Sequence, residues 1–384
     1  MTHPIYLDYN GTTPLDPEVY AAMRPYFEDE FGNPSSSHWY GIKPRQAVEA
    51  ARRQVAALLA CLPEEVFFTS GGTESNNHAI KGMARALKHR GRHIVTTTIE
   101  HPAVLEVCSY LQAEGFETTF VDVDGQGMID PTQVRQALRP DTILVSVMHA
   151  NNEVGTVQPI AAIAELARTR GIAIHTDAAQ SLGKIPADVQ MLGVDLLSIA
   201  GHKLYAPKGI GALYLRKGLA PEKFCHGAGQ EKGWRAGTEN VTGIVGLGKA
   251  CEIAGRDLAT SMARMQDLRD QLHKNIASRV ADVRLNGHPE HRLPNTLSLS
   301  FRGIEADRLL EEIGLDVAAS AGAACHSGTV AISHVLAAMQ VPADWAQGTL
   351  RFSIGRMTTV AEIERAADVV STAAARLRRV GEIA

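Results

Sequence analysis

The chain has no apolar run approaching the roughly 20 residues that a membrane-spanning helix needs. It also lacks an excess of one charge. Its 38 Lys and Arg stand against 42 Asp and Glu, for a net charge of −4, so neither a nucleic-acid surface nor a membrane surface is expected as a partner. Cysteine is scarce. Cys61, Cys108, Cys225, Cys251 and Cys325 are far apart and form no CxxC pair, which argues against a disulfide framework and against a permanent metal site, and suits a reducing compartment. The N-terminal stretch has no basic start followed by an apolar core, so an export signal is not expected and a cytoplasmic location follows. There is no internal repeat, no low-complexity tract, and neither a P-loop nor a GxGxxG fingerprint.

What is present is a regular alternation. "EVFFTS", "RHIVTTT", "FETTFVDV", "TILVSVMHA", "IAIHTDAA", "LLSIAG" and "IGALYLR" read as strands. Amphipathic segments such as "NNHAIKGMARALKHR" and "IAAIAELARTRG" separate most of them. This pattern predicts an α/β fold with a mostly parallel sheet sandwiched by helices. A chain of 384 residues is long for one core, so two domains are expected. The reading places a large domain over 15–260 and a smaller α+β domain over 1–14 and 261–384. A long helix is expected from about Val241 to Val280.

In such sheets ligands sit beyond the carboxyl ends of the strands, and there the sequence is polar: "TSGGTESNN", "IEHP", "HANNEVG", "HTDAAQ" and "AGHK". Gly71, Gly72 and Thr73 let the backbone approach a ligand and open a helix whose free N–H groups suit an anion. Each of these turns has an ordinary explanation alone: a capped tight turn, an N-cap aspartate, a surface lysine. Together, a phosphate cradle, the carboxylate of Asp177 and the amine of Lys203 are what pyridoxal 5'-phosphate requires.

At this point the sequence resembles a known family, the pyridoxal-phosphate-dependent cysteine desulfurases of the class V aminotransferases, with features of the related selenocysteine lyases. The segments that carry the resemblance span nearly the whole chain: "YLDYNGTTPLDPEV", "FGNPSSSH", "FTSGGTESNN", "EHPAVLE", "NNEVGT", "HTDAAQSLGKIP", "GHKLYAPKGIGALY", "GQEKGWRAGTEN", "RLPNTLSLSF", "AACHSG" and "LRFSIGR". The resemblance implies the type I fold of pyridoxal-phosphate transferases. It implies Lys203 as the lysine that carries the cofactor, Asp177 against the pyridine nitrogen, and His101 stacked on the ring and shuttling protons. Gln180 is implied at the ring oxygen, Asn152 beside cofactor and substrate, and Gly72, Thr73 and His202 at the phosphate. Thr238 is expected to reach the phosphate of a neighbouring subunit, which makes the active unit a homodimer. Arg351, assisted by Asn33, is expected to clamp the substrate carboxylate.

The chain departs from the family pattern in a few places. Ala200 stands where the desulfurases carry a phosphate-site serine, Gly11 and Ala206 replace an alanine and a glycine, and Ile332 replaces a proline. "AGHK" and "CHS" are closer to the lyases, whereas Pro102 looks more like the desulfurases.

The remaining motif is "ASAGAACHSGTV", in which Cys325 lies among small residues. Its composition predicts a mobile loop. By resemblance the Cys325 thiolate attacks the sulfur of L-cysteine, releases alanine and keeps a persulfide, which is passed to a sulfur-acceptor or iron–sulfur scaffold protein for cluster or other thio-cofactor assembly. Cys325 could share a transient iron–sulfur cluster with such a scaffold. His326 either lowers the thiol pKa or has no such role. The rival readings are a selenocysteine lyase acting on L-selenocysteine, a cofactor-binding scaffold without catalysis, and an aminotransferase in which Cys325 is dispensable.

Overall fold

The computed structural model describes residues 3–321, 325–326, 329–330 and 332–381. A short strand β1 (Ile5–Tyr6) precedes the strands of the large sheet: β2 (Val66–Thr69), β3 (His93–Thr97), β4 (Glu117–Val121), β5 (Thr142–Ser146), β6 (Ala173–Asp177), β7 (Leu196–Ala200) and β8 (Gly211–Leu215). Their order across the sheet is β2-β8-β7-β6-β5-β3-β4. All neighbouring pairs are parallel except those made by β8, which runs against both β2 and β7.

Strands buried on both faces read as continuous apolar runs. In β7, "LLSIA", every residue is buried. Alternate residues enter opposite cores, as the two-residue period of a strand requires. Ile94, Leu144 and Leu196 pack with the helices Gly72–Leu87 and Pro102–Ala113. Their neighbours Val95, Val145 and Leu197 pack with Ile160–Thr169, Trp39–Leu59 and the first half of the long helix Val241–Ala277. That long helix ends three residues short of the expected Val280. Gly248 lets it approach Trp39–Leu59 closely, since a β-carbon there would fall 2.6 Å from the Cα of Ala51.

The second half of the same helix packs in another core, with Ile5 and Leu7 and with apolar residues between Leu297 and Ala374. The strands of this part of the chain are β9 (Val283–Asn286), β10 (Thr296–Phe301), β11 (Val317–Ala318), β12 (Ser320–Ala321), β13 (Cys325–His326), β14 (Thr329–Val330) and β15 (Thr349–Ser353). An antiparallel sheet runs β12-β15-β10-β9, while β1 pairs in parallel with β11. The pairing of β1 with β11 leads the chain on to residues 8–11, where the carbonyls of Asn10 and Gly11 meet Lys203. β13 and β14 pair with each other, Cys325 opposite Val330; the side chains of Cys325 and His326 lie outside the described residues.

One buried ion pair fixes the loop that leads to Thr238. Arg52 donates to both carboxylate oxygens of Glu231 at 2.8 Å, and Glu231 also accepts from the Phe68 amide at 2.7 Å. The pair holds Glu231 and Lys232 at positive φ, 45° and 56°, a conformation that costs energy outside glycine. Arg52→Ala would leave the Glu231 carboxylate buried and unpaired. We expect the variant to lose about 3–5 kcal/mol of stability, read as a lowered denaturant midpoint.

Candidate active site

A cavity of about 260 Å³ opens at the carboxyl edge of the large sheet, lined among others by Gly72, Thr73, His101, Asn152, Asp177, Gln180, His202, Lys203 and Arg351. Nine of the residues singled out in the sequence therefore line one cavity. Asn33 and Thr238 do not belong to it. Both are exposed, and Asn33 accepts from the Ser35 amide in a local turn.

Each side chain is placed by its element. Asp177 ends β6; its Oδ2 accepts from Asn76 Nδ2 at 2.7 Å and its Oδ1 from the Ala179 amide at 2.8 Å. His101 caps the helix Pro102–Ala113, its Nδ1 accepting from the Ala103 amide at 3.0 Å. That contact leaves Nε2 to carry the proton. The ring keeps accessible surface toward the cavity, yet the surrounding protein desolvates it and lowers its pKa. Lys203 closes a short turn directly after β7. Its amine donates to the carbonyls of Asn10 at 2.5 Å and Gly11 at 2.6 Å. Burial, helped by the nearby charge of Arg351, lowers its pKa to about 8. His202 is pushed down to about 4, chiefly by burial. Gln180 donates to the Asn10 carbonyl at 3.0 Å and accepts from Lys184 at 2.9 Å.

Arg351 enters from β15, between Ser298 and Ser320 on the flanking strands. Its Nη1 donates to the Asn152 carbonyl at 3.0 Å and its Nη2 to Asp8 Oδ1 at 2.7 Å. Its Nε is buried without a partner.

These residues fit pyridoxal phosphate. The helix Gly72–Leu87 begins after Gly71, whose φ of 154° favours glycine, and its first turn has no side-chain cap. Uncapped N–H groups at a helix start are the donor set of a phosphate. Glu74, in the same turn, is engaged by Arg235 at 2.9 Å and by the Ser70 amide at 2.9 Å. At the place of the expected serine, Ala200 puts its methyl 3.2 Å from where a Gly72 β-carbon would lie. It supplies contact and no hydrogen bond.

The sequence reading assigned no roles to Asp8, Asn10, Asn76, Lys184 or Glu100. Asn76 carried a signal, because it follows Thr73 by three residues and so shares its helix face. Lys184 is wholly buried, and its pKa falls well below the usual lysine range for that reason. Glu100 is buried too, accepts from Thr97 and the Met148 amide, and is raised to about 8 by burial. Its folded pKa exceeds the unfolded value, so its contribution to stability is complete below the ordinary glutamate range and is lost as pH rises through about 8. Glu100→Gln should therefore flatten the fall in stability between about pH 5 and 8, by on the order of a few kcal/mol, measured as denaturant midpoints across pH.

Three of the other cysteines are poor nucleophiles, since burial pushes Cys61 and Cys108 up to about 12 and raises Cys251 as well. Among the described residues no cluster of His, Cys, Asp and Glu could hold a metal ion, and no helix is long and apolar enough to cross a membrane.

Comparison with known proteins gives a consistent result. The family model described as aminotransferase class-V matches residues 5–366. The chain is 47% identical over 381 residues to the cysteine desulfurase IscS of Dictyoglomus turgidum, covering 99% of this chain and 97% of that one. The solved structure of a NifS-like protein superposes with a TM-score of 0.91 at 38% identity, covering 96% of this chain and 98% of the other. A structure described as SspA in complex with cysteine has a TM-score of 0.82 at 36% identity, covering 93% and 100%.

Proposed function

This chain belongs to the class V aminotransferase family, and from that premise we propose that it is a pyridoxal-phosphate-dependent cysteine desulfurase, converting L-cysteine to L-alanine with a persulfide on Cys325. One observation carries the reading: Lys203, Asp177, the uncapped helix start at Gly72 and Thr73, and Arg351 line one cavity, in a chain nearly half identical to a cysteine desulfurase over its whole length.

When bound, pyridoxal phosphate supplies an electron sink that stabilises negative charge developing at the substrate's α-carbon. Gly72, Thr73 and His202 would hold its phosphate, Asp177 its ring nitrogen and Gln180 its ring oxygen, with His101 against the ring. Lys203 would hold it covalently. An amine titrating near 8 is available in both protonation states at neutral pH, so Lys203 can take a proton from the α-carbon and return one. Arg351 fixes the substrate through its carboxylate. The Cys325 thiolate then forms an S–S bond as the substrate Cβ–S bond breaks. The bonding electrons remain with carbon, and protonation there completes alanine. In sum, cysteine and the enzyme thiol become alanine and the enzyme persulfide.

The persulfide is the form in which sulfur passes to an acceptor protein, for iron–sulfur cluster or other thio-cofactor assembly in the cytoplasm. A homodimer is the active unit. Supporting it, Thr238 is exposed and away from its own chain's cavity, and Phe27, Phe31, Trp39 and Tyr40 are exposed aromatics on the N-terminal helices or in the loop between them. The core built from Ile5, Leu7 and residues between Met265 and Ala374, separate from those on the two faces of the large sheet, supports a division into a large domain over 15–260 and a smaller one formed by 1–14 and 261–384.

Ala200 favours a second reading, selenocysteine lyase, because it removes the hydroxyl expected of a desulfurase at the phosphate site. The deciding experiment measures alanine formed from L-cysteine and from L-selenocysteine. The proposed function requires turnover of L-cysteine; turnover confined to L-selenocysteine would establish the lyase.

A further inference from the structure

We propose that Asp8 is a built-in competitor for the substrate carboxylate on Arg351, and that Gly11 is the residue that leaves room for it. This rests on the reading of Arg351 as the carboxylate-binding residue.

The first observation is that the guanidinium is already paired. Asp8 Oδ1 lies 2.7 Å from Arg351 Nη2, while the Asn152 carbonyl takes Nη1. An incoming carboxylate has two ways to bind. It either displaces Asp8 from the fork or settles beside it and meets a like charge, and both weaken binding.

The second observation is an asymmetry between the partners. The Arg351 side chain is 10% exposed and that of Asp8 is 28% exposed. Arg351 is the member that cannot leave without stranding a buried charge. Asp8 can turn toward water, and only its carboxylate needs to move. Its backbone is held, because its carbonyl accepts from the Gly11 amide at 2.9 Å, the Thr12 amide at 3.3 Å and the Tyr6 hydroxyl at 3.1 Å.

The third observation concerns Gly11, where this chain departs from the alanine of the family pattern. Gly11 is not among the residues at positive φ, so its backbone conformation does not demand glycine. Space does. A β-carbon at Gly11 would lie 2.3 Å from Asp8 Oδ2, 2.9 Å from its Cγ and 3.1 Å from its Oδ1. The crowded atoms form the end of a side chain that can rotate, so an alanine would push the carboxylate out of its present place while leaving the chain path intact. Asp8 is thus a positioning residue that acts through Arg351. It neutralises the buried guanidinium when no substrate is bound and sets how tightly a carboxylate ligand must bind to enter.

The test uses the full-length holoenzyme with Asp8→Asn, which removes the charge in place, and Gly11→Ala, which displaces it. The KM for L-cysteine should fall in both by about 2- to 10-fold, the worth of a partly exposed ion pair, and by more than kcat changes. The inhibition constant of 3-mercaptopropionate, which has the carboxylate and thiol without the amine, should fall in parallel. That of cysteamine, which has the amine and thiol without the carboxylate, should stay where it is. A raised or unchanged constant for 3-mercaptopropionate in Asp8→Asn overturns the inference, as does an equal shift for both inhibitors, which marks a general structural effect. Should Gly11→Ala fail to fold, Asp8→Asn alone decides. Arg351→Leu separates the premise from the inference. If it does not weaken 3-mercaptopropionate, the carboxylate role of Arg351 fails; if it does, while Asp8→Asn brings no tightening, only the competitor role fails.

Discussion

Lys203→Ala is expected to lower alanine formation from L-cysteine by about 10²–10⁴-fold, the usual worth of a positioned proton-transfer group, and to abolish covalent retention of the cofactor. The prediction follows from where the amine sits. The turn after β7 holds it against two backbone carbonyls, those of Asn10 and Gly11. Carbonyls accept hydrogen bonds but cannot neutralise a charge as a carboxylate would, and the cation of Arg351 is near. Burial and that charge together bring the pKa to about 8, where a free amine and a proton donor coexist. Borohydride treatment of the reconstituted wild type followed by peptide mass analysis should place the pyridoxyl group on Lys203. The alanine variant should bind the cofactor loosely and release it on dialysis. Retention of a covalently bound group on another lysine would remove Lys203 from its role. Lys184 is the residue to watch, because it too is buried with a lowered pKa, but its amine is engaged by Gln180 and Asn10.

The second large effect is expected from Cys325→Ala, which should abolish sustained L-cysteine desulfuration while retaining turnover of L-selenocysteine. The reason is chemical. A neutral or absent thiol cannot attack the substrate sulfur, whereas selenium leaves carbon more readily and needs no such attack. Cys61, Cys108 and Cys251 offer no substitute, since the first is partly buried, the other two are buried, and all three have raised pKa values. Equal alanine formation from L-cysteine with and without Cys325 would remove Cys325 from the reaction.

The elements of this protein could be read from its sequence where burial dictates the residue type. The mostly apolar runs of β5, β7 and β8 leave little choice but interior strands, and the polar residues after β5 and β7 mark the ligand edge of the sheet. The direction of β8 was not readable, because five apolar residues carry no sign of which way the chain runs. Asp177 and Lys203 stood out because one ends an apolar strand and the other closes the turn after the next. Asp8, Asn10 and Lys184 did not, because a polar residue in a turn looks like any solvated one until the fold buries it. Asn10 illustrates the difference. Its side chain donates to Thr296 Oγ1 at 2.8 Å and accepts from Asn295 at 2.9 Å, while its carbonyl receives Lys203 and Gln180. Those partners are 170 to 286 residues away in the chain, a relation that no local pattern encodes. Asn33 and Thr238, known only through family resemblance, lie outside the cavity of their own chain, and under the proposed dimer Thr238 serves the neighbouring subunit.

The central claim is that sulfur leaves L-cysteine and stays on Cys325. It is tested most directly by mixing the reconstituted wild type with L-cysteine in the absence of reductant, then measuring alanine released and the mass of the peptide that carries Cys325. The account predicts alanine formation together with a Cys325 peptide one sulfur atom heavier, the added mass lost on treatment with a thiol. No alanine, or alanine with the added sulfur on a different cysteine, would contradict it.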